Sequence, residues 1–162
     1  MGSNVRPRVN RWESTAERDV LDAEHEGYAR LTEPVIHRRV VTFEKRKGYW
    51  IIEDIFRGEG LHRFEFFFNF DAGIEVRLAD RRGVAGDGRS KLAVIPISDR
   101  SLEEKIESRW VSLAYGTRIS ASGIMFRLNA VVPCKNVILL IPYRLGDEDK
   151  VDRCMIEAEF ER

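Results

Sequence analysis

Leu61-His62-Arg63-Phe64-Glu65-Phe66-Phe67-Phe68-Asn69-Phe70 alternates with a period of two residues. His62, Phe64, Phe66, Phe68 and Phe70 fall on one parity, and Arg63, Glu65 and Asn69 on the other. Successive side chains of a strand point to opposite faces, so the segment reads as a strand with one face in a core and one in water. The pattern recurs outward along the chain. Ile124, Phe126, Leu128, Ala130 and Val132 alternate with Arg127 and Asn129, and Cys154, Ile156, Ala158 and Phe160 with Arg153, Glu157, Glu159 and Glu161. Val137-Ile-Leu-Leu-Ile141 is apolar on both parities, which predicts a central strand covered on both sides.

Strands are predicted near 19–25, 35–44, 49–57, 61–70, 73–78, 91–97, 105–112, 124–132, 136–143 and 153–161. Turn chemistry separates them, as at Lys47-Gly48, Gly58-Glu59-Gly60, Asp71-Ala72-Gly73, Pro133 and Gly146-Asp147. Residues 79–90, rich in Gly, Arg and Asp, read as one long loop. Ser101–Ser108 carries two readings: a short helix opened by a Ser101/Glu104 capping box, or a strand, since 105–112 alternate. Many short strands with little helix imply an all-β, antiparallel β-sandwich of about ten strands.

A chain of 162 residues, 43% hydrophobic and 33% charged, fits one globular domain with its own core. Its 27 basic and 27 acidic residues cancel, whereas a general nucleic-acid binder carries a basic excess, so no nucleic-acid partner is expected. No apolar run approaches a membrane span, so no membrane partner is expected either. Cys134 and Cys154 are too few for a disulfide scaffold, form no CxxC pair, and read as buried free thiols. Met1-Gly2-Ser3 resembles a cloning remnant. Residues 1–18 are assigned to that remnant and a leader, residues 19–162 to a single domain, and the whole to an excised piece of a longer protein.

Candidate chemistry is sparse. Gly83-Val-Ala-Gly-Asp-Gly88 lacks the Gly-Lys-Ser/Thr of a phosphate loop and leads into a strand, so it reads as a hairpin loop. No Gly-x-Ser-x-Gly elbow occurs. His37, Asp54 and His62 stand out because each shares parity with the apolar side of its strand. A buried carboxylate must be paired or metal-bound. Two imidazoles and a carboxylate on three consecutive strands offer either a zinc site or a metal-free hydrogen-bonded cluster, and the metal-free reading is favoured. Arg39, of inward parity, is positioned to clasp Asp54 without any ion. Trp12, Tyr28, Trp110 and Tyr115 are candidates for carbohydrate stacking, with core packing the favoured reading of each.

Several motifs occur in a characteristic order. They are His25-Glu-Gly-Tyr28-Ala-Arg30-Leu31, Val35-Ile-His37-Arg38-Arg39-Val40-Val41, Tyr49-Trp50-Ile-Ile-Glu-Asp54, Gly58-Glu-Gly60-Leu-His62-Arg-Phe64, and Trp110-Val-Ser112-Leu-Ala-Tyr115-Gly116-Thr-Arg118. Over roughly residues 20–143 this resembles the C-terminal β-sandwich of heparinase II/III-like polysaccharide lyases. The resemblance implies a parent enzyme, periplasmic or extracellular, that cleaves acidic, uronate-containing polysaccharide by β-elimination. It implies a partner domain, an α/α toroid ahead of the sandwich, that supplies most catalytic groups. This chain alone would then wall the groove and brace the toroid without turning over substrate. Arg38, on a solvated face by parity, and Tyr115, the aromatic of Ser-x-x-Tyr-Gly, are the candidate carbohydrate contacts. Some members of the family hold zinc through His, Asp and His. His37 and Asp54 match the first two positions, Phe70 stands where the third falls, and His62 is the substitute at the other end of that strand. Val35 replaces a groove-facing histidine, so no catalytic residue is assigned. A face uncovered by loss of the toroid would favour self-association, in the simplest case as a homodimer. A non-catalytic carbohydrate-binding or structural assembly module is the alternative.

Overall fold

The computed structural model describes residues 5, 7–98 and 100–160. Eleven strands and one helix follow in order: β1 Arg8–Ser14, β2 Arg18–Tyr28, β3 Val35–Glu44, β4 Tyr49–Gly58, β5 Leu61–Asn69, β6 Glu75–Ala79, β7 Arg82–Gly86, β8 Ser90–Ile97, β9 Glu103–Val111, β10 Ile119–Val131, β11 Cys134–Arg144 and α1 Asp149–Phe160. They form an eight-stranded sheet, β1-β2-β3-β4-β11-β8-β7-β6, and a three-stranded sheet, β5-β10-β9. Every pairing is antiparallel. The all-β sandwich expected from the alternation is the fold.

The two sheets face each other across Phe56, Phe66, Val94, Ile124, Phe126, Leu128 and Ile138, with Phe64, Phe68 and Phe70 packed alongside. Phe64, Phe66 and Phe68 of β5 thus face the core as their parity requires, while Phe67, of the other parity, is exposed. Behind the large sheet lies a second apolar layer. Tyr49, Ala93, Ile95, Val137, Leu139 and Ile141 pack there against Val151, Cys154 and Ala158 of α1. β11 is the central strand between β4 and β8, and its two parities serve these two layers. Cys134 and Cys154 are buried free thiols.

Three expectations are corrected. Residues 153–161 were expected as a strand, but Asp149–Phe160 is helical. Val151, Cys154, Met155 and Ala158 fall at the i, i+3, i+4, i+7 spacing of one helix face, and Ile156 points to solvent. The loop expected at 79–90 contains β7, entered through a tight turn in which Asp80 and Arg81 both adopt positive φ. Residues 8–14, within the expected leader, form β1 against β2; residues 1–4 lie outside the described part. The double reading at Ser101–Ser108 resolves to strand β9, paired with β10. No described helix is long and apolar enough to cross a membrane.

The sheets are unequal, and this shapes the site. The small sheet covers Val35 at the start of β3, Phe56 of β4 and the inner faces of β11, β8 and β6. On the other flank β1, β2 and β3 extend past it. Their inner face carries Trp12, Leu21, Val41 and Phe43, continued by Trp50 and Ile52 of β4, and Phe43 stacks on Trp50 at 4.5 Å. Trp12 is 68% exposed.

On the closed side, Gly83 permits the approach of β7 to the core: a Cβ there would stand 2.3 Å from Ile124 Cδ1. Gly83→Val should therefore destabilise the fold by about 1–3 kcal/mol through overpacking. Chemical denaturation measures this, and an unchanged midpoint would place β7 farther from Ile124.

Candidate functional site

Register assembles the site. In one cross-strand row Arg39, Asp54 and Asn136 lie side by side on β3, β4 and β11; in the next, His25, His37, Phe56 and Cys134 do so on β2, β3, β4 and β11. Both rows lie on the inner face, close to the free edge of β5. Here a cleft of about 230 Å³ opens between the sheets. Tyr28, Leu31, His37, Arg39 and Phe56 form one side and His62–Phe66 the other.

Asp54 is fully buried. Arg39 clasps it with two donors, Nε to Oδ1 at 2.7 Å and Nη2 to Oδ2 at 3.0 Å. His37 Nε2 lies 2.6 Å from Oδ1. Burial alone would raise the carboxyl pKa, but the hydrogen bonds from His37 and Arg39 and the Arg39 charge outweigh it, so the group is held below the usual carboxylate value. An ionised carboxylate only accepts, so His37 carries its proton on Nε2. The imidazole stacks on Phe56 at 4.8 Å, and Phe56 on Phe64 at 3.9 Å. This aromatic column restrains the ring alongside the hydrogen bond to the carboxylate. Asn136, beside Asp54, is buried with no hydrogen-bond partner for its carboxamide among the described residues.

His62 lies in the same cleft but not in the same cluster: its Nε2 donates to the Glu59 carbonyl at 2.8 Å. His25 was not singled out from the sequence. Its ring meets His37 edge-on at 5.2 Å and Tyr28 at 5.4 Å, and its Nδ1 accepts from the Gly27 N–H at 3.1 Å. Burial, then the nearby His37 and Arg39 charges, hold its pKa below the ordinary 6.5. The signal that could have found it is the β2–β3 register, which sets it opposite His37.

These residues do not fit a metal ion. Both Asp54 oxygens are occupied by Arg39, whose positive charge adjoins the carboxylate a cation would need. His37 offers Asp54 a proton rather than a lone pair, and His62 is turned to Glu59. Among the described residues no three His, Cys, Asp or Glu side chains converge on one point.

The two candidate carbohydrate contacts lie elsewhere. Arg38 is on the outer face of β3, where Nε and Nη2 bind the two oxygens of Asp22 at 2.8 and 2.5 Å. Tyr115 stands fully free at 106% exposure in the β9–β10 connection, near Trp110, itself 60% exposed beneath the Arg118 guanidinium. The expected core packing of Trp12, Tyr28, Trp110 and Tyr115 is corrected, because all four are exposed. Trp12 lies beyond the edge of the small sheet, and Tyr115 sits in a loop with no facing layer.

Asp54→Ala should destabilise the fold by roughly 3 kcal/mol, the low end for breaking a buried ion pair, since Arg39 keeps half its surface in water. A chelator should leave the melting temperature of the unaltered chain unchanged; a chelator-induced drop would restore the metal reading. Acid should weaken the fold in two windows. Below pH 6.5 the unfolded His25 protonates while the folded one stays neutral, so stability falls as pH drops toward the depressed folded pKa. Below 3.8 the contribution of Asp54 is lost as pH falls through its lowered folded value. Denaturation midpoints across pH test both, and a stability rising between pH 6.5 and 5 would contradict the His25 assignment.

No curated protein sequence matches this chain. Solved structures do. The crystal structure of a mutant heparan sulfate lyase HepC from Pedobacter heparinus has a TM-score of 0.77 at 19% identity, over 86% of this chain and 22% of that one. HepC itself, from the same organism, gives 0.76 at 18% identity over the same shares, 86% and 22%. A heparinase III crystal structure gives 0.67 at 14%, over 88% and 22%. At such identities the likeness is one of fold, and the chain spans about a fifth of the length of these structures. The family model described as Heparinase II/III-like, C-terminal, matches residues 1–152. The chain therefore belongs to the heparinase II/III-like C-terminal domain family.

Proposed function

We infer that this chain is the β-sandwich domain of a lyase that cleaves uronate-containing polysaccharide by β-elimination. In that reaction a base removes the proton beside the uronate carboxylate. The electron pair forms a carbon–carbon double bond as the glycosidic C–O bond breaks, and an acid protonates the departing oxygen. The base and acid are assigned to an α/α toroid elsewhere in the parent, and this domain walls the groove and braces that toroid. The observation that carries the reading is the match of residues 1–152 to the family, in a chain that covers 22% of a heparan sulfate lyase of the same fold. The open inner face of β1–β3, with Trp12 exposed on it, supports a docking role, because an apolar sheet face is ordinarily covered. Exposed in this chain alone, it also supports self-association as a homodimer. Asp54 is held by Arg39 and His37, and the proposed domain works without metal or other cofactor.

The alternative, a non-catalytic carbohydrate-binding or assembly module, draws on one observation. Trp110 and Tyr115 project at the opposite end of the sandwich from the cleft, where aromatic faces are free to stack on sugars.

The test is release of unsaturated uronate from heparan sulfate, hyaluronan or alginate. The chain alone should release none, and the full-length parent should release it from at least one of the three. A parent that binds these polymers without cleaving them would favour the module, and turnover by the chain alone would place catalytic groups within the sandwich.

A further inference from the structure

The geometry points to the cleft between β3, β4 and β5 as a subsite for one acidic sugar residue, its carboxylate on the free edge of the Arg39 guanidinium and its hydroxyls on the open imidazole nitrogens of His37 and His62. This rests on the lyase reading and names the contact by which the domain grips its polymer.

Arg39 is the anchor. Nε and Nη2 are spent on Asp54, and Nη1 has no partner among the described residues. The side chain is nonetheless 47% exposed, so its outer edge faces solvent while its inner edge is pinned by a buried carboxylate. A cation held this way loses little freedom when an anion docks. The imidazoles supply the opposite polarity. A carbonyl oxygen only accepts, so the bond to Glu59 places the proton of His62 on Nε2 and leaves Nδ1 as an acceptor. His37, donating from Nε2 to Asp54, is left with the same free acceptor. One fixed donor edge and two acceptors complement a ring bearing one carboxylate and several hydroxyls.

Charge and shape agree with this. Asp54 is neutralised by Arg39 and hydrogen-bonded by His37. Glu65, which lines the cleft, is bound by Arg127 at 2.9 Å and approached by Arg63 at 3.6 Å, so neither it nor the buried Asp54 stands unpaired to repel an anion. Arg63 lines the cleft as a second cation. Tyr28, Leu31, Phe56 and Phe64 give apolar surface for the C–H face of a ring. The volume, about 230 Å³, lies below the roughly 300–1,000 Å³ of clefts that take drug-sized ligands, which suits a single sugar.

The experiment is an NMR titration of the 162-residue chain with the methyl glycoside of glucuronic acid, with methyl glucoside and inorganic sulfate in parallel. The uronate should shift the Arg39 Nε–H and the ring resonances of His37 and His62 saturably at millimolar concentration, and the neutral glucoside should not. His62→Ala, which leaves Asp54 and Arg39 untouched, should weaken uronate binding about five-fold, the worth of one hydrogen bond, without lowering the melting temperature. Arg39→Lys should weaken it further, with circular dichroism confirming the fold. Equal shifts with methyl glucoside would overturn the role of the carboxylate, and equal shifts with sulfate would overturn the sugar assignment. Uronate shifts confined to the Tyr115 loop or the Arg38 face, or no shifts at all, would overturn the subsite. The lyase reading would then still stand or fall separately, on the turnover of the full-length parent.

Discussion

The Asp54 carboxylate sits in the interior with no access to water, and much of the site follows from how that charge is met. A buried ion without a counter-ion is among the costliest features a fold can carry. Here the β3–β4 register answers it by setting Arg39 directly opposite Asp54, one row from His37. A slip of one residue would turn Arg39 to the outer face and bring Arg38 inward, removing the clasp from Asp54. The ion pair therefore pins the register, and the register in turn places the imidazoles. Arg38 shows the same logic on the other side of the sheet, where it meets the buried Asp22.

Much of this was legible in the sequence, for a physical reason. Alternation over a half-buried strand is a strong signal, and the β5 phenylalanines, the doubly apolar β11 and the inward parity of His37, Arg39 and Asp54 all followed from it. The helix was missed because Cys154 and Ala158 satisfy both a two-residue and a helical period. Val151 decides the matter, and it precedes the alternating segment 153–161. β7 was hidden by its glycines, which look like loop but are required where β7 packs on Ile124. The exposed aromatics were misjudged for a different reason. Composition says that tryptophan is usually covered, but not that the small sheet stops short of β1–β3. His25 needed the cross-strand register, a tertiary fact. His62 was rightly given inward parity, but its hydrogen bond goes to Glu59, three residues away, and such a local partner leaves no periodic trace.

The inequality of the two sheets links the fold to its proposed use. A matched sandwich would bury both inner faces entirely. Here the three-stranded sheet ends over β4, and the step from its free edge down to β3 creates both the cleft and the apolar shelf beside it. On the proposed reading, one feature serves both as a polar pocket for a sugar and as an apolar face for a neighbouring domain. The account rests on His37 serving Asp54 as a proton donor rather than a metal as a ligand. Nitrogen-15 NMR of the histidine rings at neutral pH tests this directly. The account predicts that His37 carries a proton on Nε2; an unprotonated, metal-shifted Nε2 would contradict it.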